Sequence, residues 1–259
     1  MFVDSHLHLD FDDFAEDREA VMARAAAVGI DAYVNIGIRV RSAARVIAIA
    51  ERYPNVFCTV GTLPHLADEE ADVTAEEIIP LTRHPKVIGI GEVGLDRLYG
   101  NADWNTQKRV FSAHIEAAQQ TGLPLVIHSV REDDSMSEML RRAIAEKPFA
   151  FVVHAFSGGP LLLKTTLDLG GYFGFGGLLT YRDNEHIRHA AQRVPMDRIL
   201  LETDSPSMVP APLEGDRNEP ANLLTTATLL AALRGIEIDV LAKASTDNFY
   251  RLFSKAGRM

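Results

Sequence analysis

Residues 105–128 read NTQKRVFSAHIEAAQQTGLPLVIH. Over Asn105–Thr121, Val110, Phe111, Ile115 and Ala118 fall on one face at helical spacing. Asn105 and Thr106 are both capable caps, and Gly122-Leu-Pro124 ends the pattern. The run Leu123–His128 follows, apolar until its closing histidine. Near-continuous apolar runs after a helix are expected of parallel strands covered on both faces.

This unit recurs about every 30 residues. The other apolar runs are Phe2–His8, Ala32–Ile36, Val56–Val60, Val87–Gly91, Ala150–His154, Tyr172–Phe175 and Ile199–Glu202. Between them lie the helical patterns Asp17–Val28, Ser42–Arg52, Thr74–Arg83, Asp134–Glu146, Pro160–Leu169, Asn184–Arg193 and Pro220–Arg234, with Val240–Phe253 closing the chain. Eight such units in 259 residues predict an α/β fold, a (β/α)8 TIM barrel forming a single domain over 1–259. A doubly wound open sheet is the alternative; no Gly-x-Gly-x-x-Gly follows the first run to support it.

Composition sets the outer limits. Hydrophobic residues make up 47% and charged residues 24%, ordinary for a globular chain. Cys58 is the only cysteine, which excludes an internal disulfide framework and fits a reducing compartment. No basic segment precedes an apolar run at the N-terminus and no 18-residue apolar stretch occurs, so a cytoplasmic protein without a membrane partner is expected. With 26 Lys and Arg against 36 Asp and Glu, the formal charge is −10. That argues against a sequence-independent grip on long nucleic acid, where many phosphates must be neutralised.

Polar residues mark the ends of the apolar runs. The first ends His6-Leu-His8, the fourth Gly91-Glu92, the fifth His128 and the sixth His154; the eighth runs on through Glu202-Thr-Asp204. In a parallel barrel all these ends share one face, where active sites sit. Alternation along a strand turns His6 and His8 the same way, with Leu7 facing the helices. Imidazole with carboxylate suits Zn, Mn or Fe; carboxylate and water alone suit Mg better. Four histidines with one or two carboxylates exceed a single tetrahedral site, so two ions are expected, with Glu92 best placed to bridge them. Asp4 and Asp10 can partner the ring N–H groups of the His pair, Asp10 reading more simply as a turn residue. His84, His114, His186 and His189 lie in helical or loop patterns and read as structural.

The chain resembles the TatD family of metal-dependent deoxyribonucleases, barrels of the amidohydrolase-like metal-dependent hydrolase type. The resemblance is carried by Phe2–Asp10, Ile88–Asp96, Leu123–Ser129, Val153–Gly158, Leu200–Pro206, Arg217–Pro220 and Thr246–Phe253, in order along the whole chain. It implies His6, His8 and Asp204 as ligands of one divalent ion, His128 and His154 as ligands of a second, and Glu92 as the bridge. It also implies phosphodiester hydrolysis at nucleic acid ends, single-stranded DNA above all, with Zn, Mg or Mn as cofactor and a monomer as the working unit. Two departures stand out: Leu63 in Gly61-Thr-Leu-Pro-His65 replaces the histidine of the usual Gly-x-His-Pro, and Arg131 sits one place later than in the usual His-Ser-Arg.

Roles follow from the chemistry. Asp204 is the expected general base, with Glu202 as an alternative that instead orients a histidine. His65, Arg131 and Arg217 are the expected substrate-binding residues, with Arg97 and Arg182 as weaker cations. Phe156 and Tyr181 are placed to stack on a base. The same site could serve ester or amide hydrolysis, such as D-aminoacyl-tRNA deacylation; a non-enzymatic barrel with a structural metal is the third reading.

Overall fold

The computed structural model describes residues 1–99 and 102–257. Eight parallel strands run in sequential order: β1 Phe2–Leu7, β2 Ile30–Asn35, β3 Val56–Val60, β4 Val87–Asp96, β5 Leu125–Val130, β6 Phe151–Val153, β7 Tyr172–Phe175 and β8 Ile199–Leu201. The helices are α1 Arg18–Ala27, α2 Ala43–Arg52, α3 Ala75–Leu81, α4 Trp104–Thr121, α5 Asp133–Glu146, α6 Pro160–Asp168, α7 Glu185–Arg193, α8 Leu223–Arg234 and α9 Ile238–Leu252. This is the TIM barrel expected from the alternating pattern. Past the end of β8 the wall closes onto β1: Asp204 N donates to His6 O and His8 N to Ser205 O, both at 2.8 Å. Among the described residues no helix is long and apolar enough to cross a membrane.

Two apolar layers hold the wall. Leu7, Tyr33, Val60, Ile90, Ile127 and Val153 pack outward with the helices. Val3, Val34, Phe57, Ile88, Val126 and Leu200 fill the interior, joined by Phe249, Leu252 and Phe253 from the end of α9. Lys255 Nζ then bonds the carbonyls of Thr82 and His84, just before β4. The C-terminal segment therefore plugs the end of the barrel opposite the predicted site.

Boundaries differ from expectation in two informative places. The cap of α4 is Asp103, whose side chain accepts from Thr106 N at 2.9 Å, rather than Asn105 or Thr106. Gly122 ends that helix at φ 73, as its position suggests. The strand expected to stop at Gly91 continues to Asp96. The register shifts between Asp4 and Leu7 in β1 and between Ile90 and Val93 in β4, on either side of His6 and Glu92. Such irregularities re-aim side chains near sites. At the second one β3 and β4 come close: a Cβ on Gly61 would lie 2.4 Å from Gly91 Cα, so side chains are excluded there.

The loop after β3 hangs on His114, which is structural as expected. Its Nδ1 donates to Val110 O at 2.8 Å, and its Nε2 accepts from Thr62 N at 3.1 Å. Burial pushes the imidazole down from 6.5 to about 4, so the ring stays neutral. Between these two values the unfolded chain takes up a proton that the folded chain refuses. Stability is then lost as pH falls from 6.5 toward 4, by about 3 kcal/mol from this group. Comparing wild type with His114→Gln in chemical melts at several pH values should show a shallower acid dependence in the variant. Parallel curves would remove His114 as the cause.

Candidate metal centre

The C-terminal strand ends bring together the residues that the sequence singles out. His6 lies within β1 and His128 within β5; His8, His154, Glu202 and Asp204 follow their strands directly. Asp204 sits at φ 55, a left-handed conformation that Asp tolerates better than most residues.

Glu92 stands at the middle of the cluster, 3% exposed, with its two oxygens facing opposite ways. Oε1 lies 2.8 Å from His128 Nδ1 and 2.7 Å from His154 Nε2. Oε2 lies 3.4 Å from His6 Nε2 and 4.0 Å from His8 Nε2. On that second side Asp204 Oδ1 is 3.2 Å from His8 Nε2 and 3.5 Å from His6 Nε2. His6 stacks on His154 with ring centres 3.9 Å apart. Burial opposes charge on Glu92, but the imidazoles of His154, His128 and His6 outweigh it and hold the carboxyl well below its ordinary range. Asp204 is held low in the same way, against burial, by His8, His6 and His154. Burial and the nearby His154 push His6 down. Burial also acts downward on His154, but Glu92 and Glu202 drive it well above the usual histidine range.

The donors fit a divalent cation. His6 Nδ1 and Nε2 and His154 Nδ1 are buried without a hydrogen-bond partner, a state that costs free energy unless something else meets them. His6, His8 and Glu92 offer one set of ligand atoms within 4.8 Å of one another; Glu92, His128 and His154 offer another.

A cleft of about 270 Å³ opens above the cluster. Glu92, His8, His128, His154 and Asp204 form its floor, and Phe11, Ile38, Leu63, Tyr99, Leu178 and Met208 its walls. His65 also lines it, with Nε2 2.9 Å from Asp96 Oδ2.

The expected cations lie elsewhere. Arg217 pairs with Asp17 and stacks over Phe14. Arg97 pairs with Glu132 and stacks over Trp104. Arg131 is exposed at the end of β5 and, like Arg182, is absent from the cleft lining. Phe156 is 1% exposed, packed against Phe173 and Phe175, and has no face for a base; Tyr181 does not line the cleft.

Asp4 and Asp10 do not meet the histidine rings either. Asp4 accepts from Thr203 Oγ1 at 2.6 Å and Thr203 N at 3.0 Å, and burial pushes it up to about 8. Asp10 pairs with Arg45. Glu202 lies behind the cleft, where it accepts from Ala155 N and approaches His154 Nδ1 to 3.8 Å. Asp96 is the site residue that residue-by-residue reading passed over; as Glu92 plus four on one strand, it shares that residue's face.

Comparison with known proteins agrees with this geometry. Residues 3–254 match the family described as TatD related DNase. The chain is 32% identical to the uncharacterized metal-dependent hydrolase YjjV of Escherichia coli K12 over 98% of both chains. It is 34% identical to the uncharacterized metal-dependent hydrolase TatD of Mycobacterium tuberculosis, over 97% of each. The crystal structure of the Escherichia coli YjjV protein superposes with a TM-score of 0.90, at 33% identity and 98% coverage of each chain.

Proposed function

The chain belongs to the TatD-related DNase family, and from that premise we propose that it is a metal-dependent hydrolase with a two-metal centre that removes nucleotides from the ends of single-stranded DNA. The observation that carries this reading is the division of Glu92: one oxygen faces His128 and His154, the other His6, His8 and Asp204. A carboxylate so placed is a natural bridge between two cations. His6, His8 and Asp204 would hold one, and His128 and His154 the other. Two divalent cations there would activate a water and offset charge on the phosphate oxygens.

The chain's own groups supply the rest. Asp204 is the carboxylate most open to the cleft, 8% exposed against 3% for Glu92, and is the base that takes the water's proton. Glu202 lies outside the cleft lining and orients rather than reacts. His65 meets the substrate from the wall. Tyr99, 63% exposed at the rim, and Phe11, stacked on His8, offer faces for a base. All six donors come from one chain, so a monomer suffices.

One observation favours a second reading. Among the described residues no Lys or Arg lines the cleft, and Leu63 adds to an apolar wall. Such a site also suits an ester or amide with an uncharged side, for which aminoacyl-tRNA deacylation is the nucleic-acid-linked case. The test is parallel turnover of single-stranded DNA and of aryl and aminoacyl esters by protein loaded with Mg, Mn or Zn. Nucleotide release that EDTA stops and added metal restores is the expected result. Ester turnover without nucleotide release under every metal would replace the first reading by the second.

A further inference from the structure

Asp96 ends β4 with its side chain fully buried beside the cluster. Its carboxylate accepts four hydrogen bonds. Oδ1 takes the backbone N–H groups of Leu98 at 2.6 Å and Tyr99 at 2.7 Å. Oδ2 lies 2.7 Å from His128 Nε2 and 2.9 Å from His65 Nε2. Four contacts use the full accepting capacity of an ionised carboxylate. The backbone of Asp96 is itself pinned: its N–H donates to Gln107 Oε1 at 2.9 Å, and its carbonyl accepts from Gln107 Nε2 at 3.2 Å.

An ionised carboxylate can only accept, so each imidazole facing Oδ2 must place a proton on Nε2. For His128 this leaves Nδ1, the atom nearest Glu92 and His154, as the one that would give its lone pair to a cation held between it and Glu92. For His65 it leaves Nδ1 as the atom free to meet a substrate. We propose that Asp96 is a positioning residue that fixes the Nε2–H tautomer of both His128 and His65, and so joins a donor of the metal centre to a residue of the cleft wall. Through Oδ1 the same carboxylate anchors the Leu98–Tyr99 rim. The inference rests on the reading of His128 as a ligand, because a tautomer matters for binding only if Nδ1 is a donor.

Metal-loaded protein gives a test separate from turnover. In the zinc-loaded wild type, nitrogen-15 NMR should show the His128 proton on Nε2, with the signal assigned by its loss in His128→Gln. Calorimetric titration with Mn²⁺ should show about ten- to hundredfold weaker binding in Asp96→Asn, the range for loss of a carboxylate behind a liganding histidine. Asn keeps an oxygen for the rim amides, and an unchanged thermal midpoint would separate lost positioning from unfolding. His65→Gln should bind Mn²⁺ within about threefold of wild type, because His65 gives no donor to Glu92's cluster. A loaded wild type with the His128 proton on Nδ1, or Asp96→Asn with wild-type affinity, would overturn the proposal. Unchanged affinity in His128→Gln would instead remove the ligand reading beneath it.

Discussion

Glu92→Gln should lower hydrolysis by about 10³-fold and reduce the metal bound per chain. An amide keeps one oxygen and turns an NH2 group toward the other side. Whichever way it rotates, either the His128 and His154 side or the His6 and His8 side faces an NH2 group that has no lone pair for a cation. The full anionic charge also goes, although four imidazoles converge on this one buried group. A cation's contribution of several kcal/mol to transition-state stabilisation, taken as about 4 kcal/mol, corresponds to this fall in rate. Elemental analysis beside a rate assay checks both parts. Wild-type metal content together with a rate within tenfold of wild type would show that Glu92 does not bridge.

Asp204→Asn should act differently. The amide has the same shape and still offers an oxygen near His8 and His6, so substrate affinity should change little. It loses the anionic charge offered to a cation beside His6 and His8 and, above all, the capacity to take a proton, a contribution of about 10²–10⁴-fold in rate. The loss should fall on kcat rather than KM. The imidazoles keep the wild-type carboxyl below its ordinary value, so it is ionised at neutral pH and becomes inactive as a base only once acid protonates it. The acid limb of the wild-type rate profile should therefore weaken in the variant. A kcat within threefold of wild type would move the base to another group.

The barrel and the convergence of polar side chains on one face are legible because both follow from periodicity. Apolar runs with polar ends are what a buried parallel strand over an active face must look like; His6, His8, His128, His154 and Asp204 sit at or just past such ends, and Glu92 closes its apolar run although β4 itself continues to Asp96. The end of β4 was harder to read. Val93-Gly-Leu-Asp96 continues a strand through a register shift that no pattern announces, so Asp96 reads as loop. The arginines failed for a related reason. Arg217 and Arg97 are near the site in sequence terms, but a long side chain goes where its partner is. Asp17 and Glu132, with the rings of Phe14 and Trp104, draw them elsewhere. Phe156 belongs to an aromatic cluster with Phe173 and Phe175 that only the packing of β6 against β7 creates.

On the ribosome, His6 and His8 emerge among the first residues, while Asp204 waits for most of the chain. The bonds that seal the wall, Asp204 N to His6 O and His8 N to Ser205 O, join those same two distant segments. A nascent or clipped chain that stops short of residue 204 therefore has neither a sealed wall nor its sixth donor. The order of synthesis thus guards against partial products: closure of the wall between β8 and β1 and arrival of the last of the six side chains come in one step.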